Sequence, residues 1–319
     1  MARKWMWFRG SRSVRSRRAL ATGALLSLLG VLACGGPVLE EPPDGWRSQN
    51  HALAVGGGLS PEGLAANGLA INGLRTHGLT THGLSTPQFA AWFDQDPALS
   101  AEVMKHVVRC ALPAGSSLVW TDSRTGTQYA WNGHLGLAQD WGLGNPASLG
   151  EQQLISACLG ALTNRYGLNL SVSILGRNAR GVPIPQAENE SLIYSEAEAC
   201  FFGNLFIGLG QGLFAANNGI RSPAESSLRG CGLEQAHPPG VSMCPPLVLV
   251  GQCRDYCEQH VSGSHYVRCM FNGTSYRPLT TRLRRDNIFS CGDGACQLTE
   301  SCGTGMTPDN CREDCGICY

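Results

Sequence analysis

The chain has 319 residues, with 24 basic and 24 acidic side chains, 41 glycines and 15 cysteines. Seven of the bases precede residue 19, so removal of residues 1–33 leaves 17 bases against 24 acids and a net charge of −7. Lys105 is then the one remaining lysine, and the absence of a basic patch that could neutralise phosphates excludes nucleic acid as the expected partner.

The first segment has the layout of an export signal, because a basic stretch precedes an apolar run that starts at Ala19. The run has 15 residues before Cys34, fewer than the roughly 20 that a membrane span needs. Its end, Val31-Leu32-Ala33-Cys34, resembles the cleavage motif of bacterial lipoproteins. The resemblance implies a signal peptide over residues 1–33, a diacylglycerol on Cys34 and attachment to a membrane of the cell envelope. Ordinary secretion with cleavage near Ala33 is the alternative.

A tether and a repeat are predicted next. Residues 34–56 contain three prolines and no apolar period, which is typical of a flexible connection. Residues 57–86 carry Gly-Leu every five residues in six copies. The copies resemble pentapeptide-repeat proteins, in which such units form a square β-helix with leucine inside. A flexible glycine-punctuated spacer is the alternative, and both interpretations make the repeat a stalk ahead of the folded domain.

Residues 87–287 are predicted to form a disulfide-bridged, loop-rich α+β domain. Apolar residues at helical spacing predict a helix at about 98–111, and two aromatic, β-branched runs around residues 123–126 predict a β-hairpin. Ser148 with Glu151 three residues later predicts the start of a second helix. Alternation over 168–174 predicts a strand, whereas the glycine, proline and cysteine of 176–290 predict short strands and long loops without a regular layer.

This middle region resembles a group of uncharacterised secreted lipoproteins of myxobacterial type, over roughly residues 87–290. The resemblance is carried by four segments: CALPAGSSL at 110–118, GHLGLAQDW at 133–141, ISACLGALTNRYG at 155–167 and FFGNLF at 201–206. The group has no assigned activity, so the resemblance implies location and architecture and leaves the chemistry open.

Cysteine parity predicts two separately bridged modules. Apart from Cys34, eight cysteines precede residue 270 and six follow residue 290, and both numbers are even, as expected in an oxidising compartment. The predicted disulfide cysteines are Cys110, Cys158, Cys200, Cys231, Cys244, Cys253, Cys257, Cys269, Cys291, Cys296, Cys302, Cys311, Cys315 and Cys318. A bridge between Cys110 and Cys158 would join the two predicted helices, and a catalytic thiol at Cys158 is the alternative.

A zinc site is the first of two metal hypotheses, and both lie in the C-terminal half of the chain. Cys253, Cys257, His260, His265 and Cys269 have the ligand types and spacing of a zinc site, although an oxidising compartment favours disulfides for the cysteines.

Residues 288–319 form a predicted cysteine-rich C-terminal module. Its pattern resembles short extracellular modules of bacterial surface proteins, with Cys-Gly-Asp-Gly-x-Cys followed by Glu-x-Cys and later Asp-Cys-Gly. Four carboxylates could offer calcium hard oxygen ligands, or could only keep the module soluble: Asp293, Glu300, Asp309 and Asp314.

The sequence contains none of the G-x-S-x-G, H-E-x-x-H or P-loop signatures. We therefore expect a cell-envelope lipoprotein with a non-catalytic binding or structural role, and an envelope protein or polysaccharide as partner. No cofactor is expected beyond the calcium and zinc hypotheses. The rival is an extracellular hydrolase with a site assembled from distant residues: Cys158 or a serine, with His134, His237, His260 or His265.

Overall fold

The computed structural model describes residues 55–60, 74–79, 81–207, 212–219, 222–227, 229 and 246–318. All of them belong to one compact unit. Several sequence predictions lie outside the described residues: the signal peptide, Cys34, most of the tether, Cys231, His237 and Cys244.

The helices differ greatly in length, and only two exceed three turns. In chain order they are α1 (Leu74–His77), α2 (Thr81–Leu84), α3 (Pro87–Phe93), α4 (Pro97–Ala111), α5 (Gln139–Gly142), α6 (Leu149–Leu162), α7 (Glu190–Ile193), α8 (Cys253–Tyr256) and α9 (Arg312–Cys315), with a 3₁₀ turn at Arg285–Asn287. Among these described helices, none is long and apolar enough to cross a membrane.

The strands form one large sheet and several small ones. They are β1 (Val55–Gly57), β2 (Ser117–Thr121), β3 (Gln128–Asn132), β4 (Leu170–Leu175), β5 (Glu196–Gly203), β6 (Leu213–Asn217), β7 (Glu225–Ser227), β8 (Leu247–Gln252), β9 (Cys257–Gln259), β10 (Tyr266–Phe271), β11 (Thr274–Tyr276), β12 (Leu279–Leu283), β13 (Ile288–Ser290), β14 (Met306–Thr307) and β15 (Asn310–Cys311). The large sheet has six strands in the order β1-β4-β12-β5-β6-β8. Its pairs are antiparallel except for the parallel pair β6–β8.

The elements with clear periodicity form where the sequence predicts them. Helix α4 begins after Asp96, whose side chain accepts a hydrogen bond from the Leu99 amide, and the predicted hairpin is β2–β3. The capping box of α6 is complete, because the Ser148 hydroxyl accepts from the Glu151 amide and the Glu151 carboxylate accepts from the Ser148 amide. Strand β4 follows the end of α6, as predicted.

Residues 176–290 contain the predicted short strands, but the prediction that these strands form no regular layer is wrong. Strands β5, β6, β8 and β12 lie in that range and supply most of the large sheet. Helix α6 packs on one face of it, where Ala199 and Phe201 of β5 point. Cys200 and Phe202 point to the other face, where they meet side chains of β10 and β11. Because both faces of this half of β5 are buried, its sequence is a continuous apolar run without alternation.

The described part of the Gly-Leu repeat is not a separate stalk, and neither the β-helix nor the spacer interpretation holds there. Its leucines, Leu59, Leu74, Leu79 and Leu84, are at most 1% exposed and belong to the main hydrophobic core. Units 74–77 and 81–84 are single helical turns instead of β-helix faces. Burial of the leucines against the domain stabilises these units, which a repeat of this length could not achieve alone.

The repeat is fixed to the domain by backbone hydrogen bonds as well as by leucines. The Leu79 amide donates to the carbonyl of Trp141 at 2.7 Å, and the indole of Trp141 donates to the carbonyl of Leu74 at 2.7 Å. Leu59 pairs with the end of α6, because its amide donates to the Leu162 carbonyl and its carbonyl accepts from the Asn164 amide.

Six disulfides join the twelve predicted disulfide cysteines that lie in the described residues. None of these bridges joins a cysteine before residue 270 to one after residue 290. The helix-joining Cys110–Cys158 bridge is present. The remaining pairs are Cys200–Cys253, Cys257–Cys269, Cys291–Cys311, Cys296–Cys315 and Cys302–Cys318.

Candidate functional site

The described cysteines offer no free thiol for the two roles that the sequence suggests, a catalytic nucleophile and a zinc ligand. Cys158 is fully buried and bonded to Cys110, so it cannot act as a nucleophile. The cysteines of the zinc hypothesis are also paired, Cys253 with Cys200 and Cys257 with Cys269. Zinc binds thiolates, and the disulfides leave the two histidines of that set without cysteine partners.

The four carboxylates of the calcium hypothesis do not meet at one point. No three of them bring oxygens within 4.8 Å of one another. Asp314 accepts from the amides of Gly292 and Gly294 at 2.6 and 2.9 Å, and Asp293 accepts from the Gln297 side chain. Asp309 accepts from the Thr307 hydroxyl. These three carboxylates therefore serve as acceptors within the loops of the C-terminal module.

Glu300 is the exception among these carboxylates. Its side chain is buried, one oxygen accepts from the Gln297 amide, and the other has no hydrogen-bond partner among the described residues. Burial raises the pKa of Glu300, and the nearby charges of Asp314 and Asp293 raise it further. A carboxyl group in this setting holds a proton more readily than an exposed one.

One histidine of the zinc hypothesis, His265, lines a small cavity of about 90 Å³. The cavity lies where α6, the loop after β4, strand β10 and the residues before β12 approach one another. Its lining residues are Leu154, Arg177, Gly181, His265, Tyr266, Val267, Arg277 and Pro278. No acidic residue of the described chain lines it, which is notable because acids outnumber bases after residue 33.

Both arginines of the cavity are held in place by backbone carbonyls. Arg177 donates through Nη1 to the carbonyl of Gly181 at 2.8 Å, and Arg277 donates through Nη1 to the carbonyl of Ala179 at 3.0 Å. Each of these contacts uses one of the five N–H groups of a guanidinium. Donors therefore remain on both side chains, and their positions are set by the loop between β4 and α7.

His260 and His265 are stacked, with ring centroids 4.6 Å apart and planes 14° from parallel. A chain of short polar contacts joins them. Nη2 of Arg177 lies 3.2 Å from Nε2 of His260, and Nδ1 of His260 lies 2.8 Å from the Ser262 hydroxyl. That hydroxyl lies 2.8 Å from the hydroxyl of Ser264, which lies 2.9 Å from Nδ1 of His265.

Both ring nitrogens of His260 face hydrogen-bond donors. The Arg177 guanidinium can only donate to Nε2, and the Ser262 amide lies 3.2 Å from Nδ1. His260 therefore connects Arg177 to the loop that carries Ser262 and Ser264.

The second ring nitrogen of His265, Nε2, takes no part in this chain of contacts. This nitrogen is buried and has no hydrogen-bond partner among the described residues. Burial lowers the pKa of His265, and the neighbouring His260 and Arg177 lower it further, so the ring is neutral at pH 7. The hydroxyl of Tyr266 is not free, because it donates to Asn218 at 3.0 Å.

The cavity is thus lined by the two cationic side chains of Arg177 and Arg277 and by no described carboxylate. Sequence reasoning singled out the two histidines for zinc, and it missed both arginines. Arg277 lies 100 positions from Arg177, so no local pattern could join them. The sequence does show that basic residues are fewer than acidic ones after residue 33. That imbalance does not show which arginines lie close together in the fold.

His134, the remaining described histidine of the hydrolase hypothesis, lies apart from this cavity. It pairs in a β-bridge with Pro113, next to the hairpin β2–β3, and it is not among the lining residues.

Comparison with known proteins identifies the repeat and nothing beyond it. A family model described as the GLTT repeat, in six copies, matches residues 58–86. No curated protein and no solved structure matches the chain.

Proposed function

We propose that the protein is a lipid-anchored component of the cell envelope whose folded domain has a non-catalytic binding function. The observation that carries the binding function is the cavity beside His265, which collects donors from Arg177 and Arg277 without a described acid to neutralise them. Sites of this kind, with a few convergent polar groups in an otherwise apolar cavity, are typical of ligand binding. The proposed partner is an envelope protein or polysaccharide.

The lipid anchor is supported by the motif that ends at Cys34 and by the disulfides. Six disulfides in the described residues support this location, because disulfides persist mainly in oxidising compartments. Net charge after residue 33 and the even number of cysteines are also in keeping with cleavage before Cys34.

The anchor is tested by replacing the cysteine that would be lipidated. We expect the wild-type protein to partition with membranes and into detergent, and the Cys34→Ser variant to appear in the aqueous fraction. The double variant Cys302→Ser, Cys318→Ser is the control, because it loses cysteines but keeps Cys34 and should stay with the membrane. A Cys34→Ser variant that partitions like the wild type would remove the anchor from the proposal.

A hydrolase is the second candidate, because the Ser264 hydroxyl lies 2.9 Å from Nδ1 of His265. Serine catalysis also needs a group that orients the histidine through its second nitrogen. Nε2 of His265 has no such partner among the described residues, and the lowered pKa makes the ring a weak base. The geometry therefore favours binding over nucleophilic catalysis.

The choice between the two candidates is tested with a serine-directed fluorophosphonate probe on the purified lipoprotein. We expect no covalent labelling at Ser262 or Ser264, with a commercial esterase as the positive control. Labelling that disappears in a Ser264→Ala variant would overturn the non-catalytic proposal.

Binding itself is tested by co-sedimentation with an isolated envelope polysaccharide and by cross-linking to envelope proteins. Wild-type protein should be retained by one of the two, and Arg277→Gln should be retained less. Arg124→Gln removes the same charge from the β2–β3 turn, away from the cavity, and should behave like the wild type. Equal retention of all three would argue against the cavity as the binding site.

A further inference from the structure

We propose that the cavity beside His265 binds the carboxylate group of a small organic acid. This inference rests on the proposed binding function and names its ligand class, but it does not depend on the lipid at Cys34.

The donors of the cavity require an acceptor. Arg177 and Arg277 can only donate hydrogen bonds, and the carbonyls of Gly181 and Ala179 each occupy one donor of a guanidinium that has five. A carboxylate between the two side chains can accept from the donors that remain. Hydrogen bonds from a guanidinium to an anion are also among the strongest in proteins.

The other walls of the cavity favour hydrocarbon next to the oxyanion. Leu154, Val267 and Pro278 line it together with the donors. A carboxylate attached to a short carbon chain fits both parts of the cavity. Its oxygens accept hydrogen bonds from the donors, and its methylenes are buried against the apolar side chains. Inorganic phosphate is polar on every side and would leave the apolar walls against its oxygens.

The size and the electrostatics agree with a small monoanion. A cavity of about 90 Å³ is well below the 300–1,000 Å³ or so of pockets for drug-sized ligands. The chain after residue 33 has a net charge of −7, which repels polyanions at long range. A single carboxylate can bind the donors of the cavity, and with only one negative charge it is repelled less than a polyanion.

The ligand class is tested by calorimetric titration of the purified full-length lipoprotein in detergent, in chloride buffer at pH 7. The probes are acetate, butyrate and phosphate. We expect saturable binding of butyrate, about fifteenfold tighter than that of acetate, because each of its two additional methylenes contributes roughly a fourfold change in affinity. Phosphate binding tighter than butyrate, or no saturable binding of either carboxylate, would overturn the inference.

Variants locate the binding within the cavity. Arg277→Gln should weaken butyrate binding by about tenfold or more, as expected for the loss of a charge-assisted hydrogen bond. Arg177→Gln removes the other guanidinium of the cavity and should also weaken binding. Arg124→Gln is the charge-matched control and should bind butyrate like the wild type. Equal affinity in all four proteins would contradict the assigned site.

The two levels of the proposal fail in different ways. If butyrate does not bind while the protein is still retained by envelope polysaccharide or cross-links to an envelope protein, the carboxylate inference is wrong and the binding function stands. If the wild-type protein binds none of the probes and none of the envelope fractions, both are wrong.

Discussion

At the scale of single residues, the deepest charges of the described chain are Arg229 and Glu198. Their side chains are 1% and 0% exposed, and Nε of Arg229 donates to Glu198 at 2.8 Å. Nη1 of Arg229 also donates to the Thr163 carbonyl at the end of α6. Arg229 therefore connects its own segment to β5 and to the end of α6. It does not line the cavity beside His265.

Removing one member of this pair leaves a buried, uncompensated charge. We expect Arg229→Met to lower the free energy of unfolding by about 3–5 kcal/mol, measured by urea denaturation. Arg268→Met is the control, because the Arg268–Glu258 pair is more than half exposed and such pairs contribute about 1 kcal/mol or less. Adding Glu198→Leu to Arg229→Met should restore part of the lost stability, and similar small losses in the two single variants would contradict this account.

His106 is a second buried titratable residue, and it makes stability depend on pH. Its side chain is 1% exposed and its Nε2 lies 3.0 Å from the Glu102 carboxylate. The hydrogen bond from His106 is the largest cause that lowers the pKa of Glu102 to about 2. Burial lowers the pKa of His106 despite Glu102, so the folded chain holds this ring neutral.

The sign of the pH effect follows from that lowered pKa. An unfolded histidine takes up a proton near pH 6.5 whereas folded His106 does not, so the free energy of unfolding should fall as the pH drops below about 6.5. His106→Gln should reduce this loss between pH 7.5 and 5.5 in urea denaturation curves. His82→Gln changes an exposed histidine and should keep the wild-type slope, and the same slope in His106→Gln would count against the assignment.

At the scale of elements, the Gly-Leu repeat shows what glycine and leucine each contribute. The leucines fill the core, and the glycines permit close backbone contacts. A Cβ added at Gly83 would overlap the carbonyl oxygen of Gly78, whereas one added at Gly58 would lie 3.5 Å from the nearest atom, an ordinary contact. The same residue type is therefore essential in one copy of the repeat and replaceable in another.

This difference gives a matched pair of substitutions. Gly83→Ala gains about 1 kcal/mol of helix propensity in α2, but the overlap costs about 1–3 kcal/mol, so we expect net destabilisation by thermal or urea unfolding. Gly58→Ala should change the free energy of unfolding by less than about 0.5 kcal/mol. A repeat that acts as a free spacer would tolerate both substitutions equally.

Sequence reasoning predicted the elements that carry their own local signals. Helix α4 has an apolar period, α6 has a capping box, and the hairpin β2–β3 has a turn between two aromatic runs, and all three are present. Short strands are predicted over residues 176–290, but the positions of β5 and β6 are not, because their buried apolar runs do not alternate. The sequence does not show that the repeat packs on the domain, because its contacts include Trp141, which is distant in sequence.

At the scale of the whole molecule, the candidate site exists only because of the fold. Arg177 follows β4, His265 precedes β10 and Arg277 precedes β12, and the sheets bring these three positions to one cavity. The sequence shows that His260 and His265 are close to cysteines, which suggested zinc. Only the disulfide pairing and the position of Arg177 show that these histidines instead belong to a chain of polar contacts that starts at Arg177.

The central claim is that Arg177 and Arg277 bind the carboxylate of a small organic acid in the cavity beside His265. It is tested most directly by calorimetric titration with butyrate at pH 7 of the wild-type protein and of the double variant Arg177→Gln, Arg277→Gln. We predict saturable binding to the wild-type protein and none to the double variant. The absence of binding to the wild-type protein, or equal binding to both proteins, would contradict the account.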